Sequence, residues 1–348
     1  MSTRGGLVNT TNVLLIILIS LVLLYIGQDF LIPLVLAIMT WSLLNAFTDH
    51  IQKIRLGKIK LSRKLALLLS IIALSSLFLL VYQILASQSQ ALEAAAPVYE
   101  KNFNAILNDL VTRLGIEEVP SSNQFLESVN LGSLLSWLGG SVGSLLSSLF
   151  LVLIYTAFLF AEQPVMVKKL NALADNPADA NDMYGILTQI ATQVQNYIWM
   201  KTLVSLATSL LSYLVLIWVG VDFAAVWALL VFMLNFIPNI GSILSVMLPA
   251  LLTLVQFDTL TPFLFIAVGL GAVQFIIGNI VEPALMGKSL NLSSLMIILS
   301  LTFWGLLWGI PGMFLSVPIM VMFAIVCAKF DNLRGIAVIL SADGNLER

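Results

Sequence analysis

Charge, cysteine and histidine are what this chain has least of. Only 10% of its 348 residues are Asp, Glu, Lys or Arg, against about 25% in an ordinary soluble domain. The single cysteine, Cys327, excludes an intrachain disulfide framework and any cysteine-based metal site. The single histidine, His50, sits in a basic stretch and excludes a multi-histidine centre. No His-Glu-x-x-His, Gly-x-Ser-x-Gly or phosphate-binding loop occurs, so neither hydrolysis nor a built-in ATP-driven pump has a motif to rest on. A net charge of −2 offers no basic face to nucleic acid. The expectation is a protein that is not an enzyme, with no cofactor, no metal and no nucleic-acid partner.

What fills the chain is apolar: 59% hydrophobic residues, mean hydropathy +1.02. A membrane-spanning helix needs about 20 apolar residues. Uninterrupted runs lie at 12–27, 30–47 (with a bend expected at Pro33), 65–87, 143–161, 203–220 and 262–281. Two more runs, 223–256 and 292–328, are long but broken. The predicted fold is an all-α polytopic membrane protein of about six to eight membrane segments. Its N-terminus carries only Arg4, lacks an Ala-x-Ala site and runs straight into a second apolar segment. That reads as a retained helix rather than a cleaved signal peptide.

Loop charge gives an orientation. Residues 48–64 hold Lys53, Arg55, Lys58, Lys60, Arg63 and Lys64 against Asp49 alone, and short Lys/Arg-rich loops stay cytoplasmic. Residues 88–142 then lie outside and are acidic, while 162–202 and both termini lie inside. The outer segment is itself helical in pattern: Phe103, Ile106, Leu107, Leu110 and Leu114 recur at helical spacing between Pro97 and Pro120. The expected domains are 1–87, N-terminal transmembrane helices; 88–142, extracytoplasmic amphipathic helices; 143–202, the fourth membrane helix and a cytoplasmic helical segment; 203–330, a transport core with both broken hairpins; and 331–348, a cytoplasmic tail.

The two breaks carry the functional expectation. One reads Ile237-Pro238-Asn239-Ile240-Gly241-Ser242 and resumes with Leu244-Ser245-Val246; the other reads Ile310-Pro311-Gly312 and resumes with Leu315-Ser316-Val317. Proline removes an intrahelical hydrogen bond and glycine loosens the backbone, so each run should be two helices joined by irregular chain. Halves of fifteen residues, 223–237 and 242–256, are about 22 Å long, short of the ~30 Å hydrocarbon core. They form either a re-entrant hairpin or two thin, tilted spans. The first pair of halves begins and ends outside, at Asp222 and Asp258; the second begins and ends inside, near Lys288 and Lys329. A span precedes each, which is the inverted-repeat plan of many transporters.

No charged residue lies inside 203–221, 223–257, 259–281 or 289–328. The nearest are Asp222, Asp258 and Glu282, and of these Glu282 and Asp222 are the candidates for coupling or gating. Pro283 marks Glu282 as an expected helix end. The interior otherwise offers neutral hydrogen bonding from Asn235, Asn239, Ser242, Ser245, Gln274, Asn279 and Ser316, beside the break residues Pro238, Gly241, Pro311 and Gly312. Together they outline a pathway for a small, polar, largely uncharged solute. Trp304 and Trp308 either stack on it or anchor the membrane interface.

The runs Asn235–Ser242, Gly278-Asn279-Ile280-Val281-Glu282-Pro283-Ala284-Leu285-Met286-Gly287-Lys288 and Gly309–Pro318, in this order of spans, resemble the autoinducer-2 exporter family of bacterial membrane proteins. The Asn-Ile-x-Glu-Pro form and Phe303-Trp304-Gly305 look closest to its quorum-signal exporter branch. The resemblance implies export of the small signal autoinducer-2 across the bacterial cytoplasmic (inner) membrane. It also implies a homo-oligomer in membrane lipid, a ring of five favoured, with hairpin-bearing subunits moving against a scaffold. Some relatives are described as sodium or lithium/proton antiporters, which is the alternative, and a non-transporting membrane scaffold or regulator is the third reading.

Overall fold

The computed structural model describes residues 2–53, 61–114, 131–173, 177–286 and 291–345. Residues 54–60, with Arg55, Lys58 and Lys60 of the basic loop, residues 115–130 in the middle of the expected outer segment, and Lys288 lie outside these residues. Every regular element is helical: α1 (Ser2–Ile26), α2 (Gln28–Lys53), α3 (Arg63–Leu114), α4 (Leu131–Leu173), α5 (Pro177–Val219), α6 (Ala224–Leu234), α7 (Ile240–Gln256), α8 (Thr261–Ile276), α9 (Glu282–Met286), α10 (Ser294–Lys329) and α11 (Arg334–Leu340). Among the described residues there is no strand.

Among the described residues, six stretches are long and apolar enough to cross a membrane: 28–53, 63–88, 149–166, 183–219, 261–285 and 294–329. Their outward faces are apolar, as at Leu79, Phe158, Trp218, Val268 and Leu306. Such contiguous apolar exposure suits lipid and not water. The protein is an all-α, multi-pass membrane protein.

The helices overrun the expected spans. The third span and the amphipathic outer segment are one 52-residue helix, α3, unbroken through Pro97; at 1.5 Å per residue it is about 78 Å long. The fourth span is likewise the middle of a longer helix, α4. The fifth apolar stretch begins near 183 rather than 203, which places Lys201 inside it. The helix expected to end at Glu282 does not end there. After α8 it widens through Ile277–Val281, where Glu282 N–H reaches back five residues to the Ile277 carbonyl, and then continues as α9. Pro283 has no N–H to give, so the chain passes it by absorbing one extra residue in the turn.

The chain packs as two compact units. One comprises 1–43, 148–195 and 290–348; the other comprises 44–147 and 196–289. In the first unit, α2 and α4 meet through Phe30 on Tyr155, Trp41 on Phe160, and Thr156 Oγ1 bonded to the Ala37 carbonyl. Trp308 of α10 donates its indole N–H to the Leu24 carbonyl of α1, so this ring is structural, with Trp304 tilted against it. In the second unit, Leu216, Val221, Ala250, Ile266 and Leu270 form a core joining α5, α7 and α8.

Both broken runs exist, and they differ. The first is α6 and α7, of eleven and seventeen residues rather than two equal halves. The break occupies 235–239, with Asn239 at φ 60°. The second is the long helix α10, interrupted only at Gly309 (φ 63°, ψ −142°). In both, the glycine after the proline abuts the preceding half-helix. A Cβ on Gly241 would lie 1.7 Å from the Leu234 carbonyl oxygen, and one on Gly312 would lie 1.9 Å from that of Trp304. Aligned on these glycines, Gly-x-x-Leu-Ser-Val coincides in the two runs; the prolines are what is offset.

Candidate functional site

The second unit contains a buried polar seam. Along α5, Lys201, Ser205, Thr208 and Ser212 are 6%, 0%, 0% and 1% exposed. Steps of four, three and four residues put all four on one helix face. A membrane helix that buries such a face must satisfy it internally. Thr208 bonds back to the Val204 carbonyl. Ser205 Oγ accepts a 3.0 Å hydrogen bond from Asn235 Nδ2, at the break between α6 and α7. Ser209, beside the seam, donates to the Ala228 carbonyl of α6.

Lys201 pairs with Glu282. Its Nζ lies 2.5 Å from Glu282 Oε1, with the two side chains 7% and 23% exposed. The wide turn at 277–281 makes this geometry possible. Gln274 and Glu282 are eight residues apart, about 80° out of line on a regular helix at roughly 100° per residue. With one residue absorbed by the turn they stand as i and i+7, on the same face. Glu282 is thereby carried round to α5. Tyr197, 5% exposed, lies one turn before Lys201.

Above the pair the seam is unsatisfied. Ser212 Oγ, Ser245 Oγ and Gln274 Nε2 are buried and have no hydrogen-bond partner among the described residues; Trp227 Nε1 on α6 is in the same state. Native interiors leave few such atoms, and each marks strain, function or a missing ligand. Four of them lie in three neighbouring elements: α5, the α6–α7 hairpin and α8.

The other sequence-predicted residues divide. Asn235 and Glu282 bond to the seam, and Gln274 is buried on the face of α8 that the wide turn aligns with Glu282. Gly241 is buried where the hairpin turns, and Ser242 and Pro238 are half-buried. Asn239 is exposed, as is Asn279, whose amide bonds back to Phe275 of its own helix. Pro311, Gly312 and Ser316 lie in the first unit; there Ser316 Oγ donates to the Met313 carbonyl, and the Ser316 carbonyl accepts from Ser300. Asp222 is at the far end of α5 and accepts a 2.6 Å bond from Tyr99 on α3. Burial first, and then the Asp222 carboxylate, raise the Tyr99 hydroxyl well above its usual pKa. Gln256 closes the same end by bonding both Gly220 and Asp222, and Asn102 of α3 reaches the Val255 carbonyl.

Lys201 was not among the residues expected from sequence, because the fifth span had been started at 203. The signal was present: Lys201, Ser205, Thr208 and Ser212 fall at a heptad-like period inside an otherwise apolar run. No group of three or more His, Cys, Asp or Glu that could hold a metal occurs among the described residues. What the seam can do is hydrogen-bond a polar molecule in a membrane interior.

Comparison with known proteins agrees with this architecture. The family model described as AI-2E family transporter matches residues 14–331. The chain is 31% identical over 319 residues to the AI-2 transport protein TqsA of Escherichia coli strain K12, covering 90% of each chain. It is 32% identical over 249 residues to a Borreliella burgdorferi protein provisionally named as a transport protein, covering 70% of this chain and 67% of that one. A Haemophilus influenzae protein of the same provisional name is 28% identical over 321 residues. A buried polar seam in a polytopic helical membrane protein, matched across nearly its whole length, places this chain in the AI-2E family of transporters.

Proposed function

We propose that this protein exports the small quorum-sensing signal autoinducer-2, from the cytoplasm across a bacterial inner membrane, with both termini cytoplasmic. The observation that supports an uncharged cargo is the electroneutrality of the seam. Its one cation and one anion, Lys201 and Glu282, cancel each other, and every other group on it is a hydroxyl or amide. An ion held there would leave a net charge in a low-dielectric interior, which costs several kcal/mol. A neutral polar solute leaves none. The naming of TqsA for AI-2 transport supports the identity of that solute.

The α6–α7 hairpin fits a re-entrant element, since eleven residues are about 16 Å of helix and cannot cross the ~30 Å core. Opposite insertion of α10 would give the inverted repeat. The family resemblance favours a ring of five subunits.

The test is flux of labelled autoinducer-2 in liposomes holding the purified protein, with and without a proton gradient. Gradient-accelerated flux is the expected result and identifies a coupled exporter; flux indifferent to the gradient identifies a facilitator. Sodium–proton exchange without signal flux replaces this reading with the antiporter, and neither activity replaces it with a scaffold.

A further inference from the structure

We propose that the Lys201–Glu282 pair, with Gln274, is a subsite that recognises two adjacent hydroxyl groups on an uncharged solute. The inference rests on the transporter reading above and specifies the chemistry of its cargo. It starts from a count of hydrogen-bonding positions. A lysine ammonium has three donors and a carboxylate two accepting oxygens. Lys201 Nζ and Glu282 Oε1 engage each other, which leaves two donors on Lys201 and the second carboxylate oxygen of Glu282 without a partner among the described residues. Gln274 adds an unpartnered amide nitrogen, 8% exposed, on the same face of α8 as Glu282.

These vacancies are complementary and adjacent. In a vicinal diol one hydroxyl donates to the free carboxylate oxygen while its neighbour accepts from the ammonium. Both bonds are charge-assisted, the stronger class, and neither requires the ion pair to open. The amide of Gln274, one heptad away, meets an oxygen further along the solute. A mono-alcohol can fill only one of the two charged positions. A cation on the free carboxylate oxygen, or an anion on the free ammonium donors, would leave the site with a net charge in a low-dielectric interior. The subsite therefore selects for paired hydroxyls and not for charge.

The wide turn has the same implication. A regular helix would satisfy its own carbonyls and turn Glu282 away from α5 by roughly 100°. Bulges of this kind are frequent at functional sites, and here the bulge aligns Gln274 with Glu282.

The experiment measures binding of two small five-membered cyclic ethers to the full-length protein in nanodiscs by equilibrium dialysis. One is 1,4-anhydroerythritol, a cis-diol; the other is 3-hydroxytetrahydrofuran, with one hydroxyl. The expected result is binding of the diol at least about tenfold tighter than the mono-alcohol, one charge-assisted bond's worth. Glu282→Gln keeps an acceptor for Lys201 but loses the charge, and should reduce that preference to less than about threefold. Gln274→Leu removes an amide whose nitrogen has no partner among the described residues, so it should fold normally and weaken both ethers, through the ring oxygen they share, while the diol preference persists.

Equal binding of the two ethers, or a diol preference that survives Glu282→Gln in folded protein, overturns the proposal. Autoinducer-2 flux without diol preference overturns the subsite and leaves the exporter standing. Diol preference without autoinducer-2 flux supports the subsite and overturns that substrate.

Discussion

The two broken helices share Gly-x-x-Leu-Ser-Val, yet their polar accounts differ. In α10 the break is one residue wide, and Ser316 is bonded through both its hydroxyl and its carbonyl. In the α6–α7 hairpin the break is five residues wide, and the matching Ser245, 1% exposed, has an orphaned hydroxyl. The first arrangement is finished; the second waits for a partner. Similar sequence therefore leaves one serine bonded and the other orphaned: the Ser316 hydroxyl bonds back to the Met313 carbonyl of its own helix, and no such bond forms at Ser245.

The largest effects test what the two helices have in common. Gly241→Ala and Gly312→Ala each push a methyl against a backbone carbonyl, so each should lose about 3 kcal/mol or more, seen as collapse of the monodisperse peak in detergent. Gly309→Ala meets no atom within 4 Å and bears only its backbone strain, about 1–3 kcal/mol. A normal Gly241→Ala protein would break the equivalence of the two glycines.

The next effect belongs to the hairpin's unit alone. Lys201→Met strands a partly buried carboxylate and should cost about 3–5 kcal/mol, while the Lys201→Met/Glu282→Leu double variant recovers most of it. Thermal unfolding of the two proteins checks this. No such pair exists in α10, whose only charged residue is Lys329.

A smaller effect concerns the end of the hairpin near Asp222 and Val255, which α3 holds through Tyr99 and Asn102. Because the folded state raises the Tyr99 pKa, its stabilisation is complete below the free value of about 10 and fades as pH rises above it. Tyr99→Phe should lower stability by about 1 kcal/mol at neutral pH and flatten the alkaline limb of the stability profile. An unchanged limb would mean that α3 does not hold the hairpin there.

The smallest difference sharpens the comparison most. Ser316→Ala should cost about 1 kcal/mol and spare transport per folded molecule, whereas Ser245→Ala should stay within about 0.5 kcal/mol of wild type and reduce flux. Equal effects at the two serines would remove the distinction.

Much of the architecture was legible. Apolar run lengths located the membrane helices, and Ile-Pro with a nearby glycine located both breaks, since hydropathy and backbone restriction are local properties. The site was legible only in part. Asn235, Gln274 and Glu282 were found by asking which polar groups lie in apolar runs. Lys201 lies two residues before the apolar run at 203–220, and the structure places it inside the longer span 183–219. Asn239 and Asn279 were included for their chemistry but face outward, and a residue's azimuth depends on how its helix packs.

By itself, then, the sequence determined that this chain is a helical membrane protein interrupted at two glycine–proline breaks, because each of those properties is set within a few residues. Only the tertiary structure decided that Lys201 meets Glu282, that Ser205 meets Asn235, and that Ser245 is buried with its hydroxyl unpartnered. Those outcomes depend on the rotation of one helix against another, and a single extra residue in the turn at 277–281 changes that rotation by about 100°.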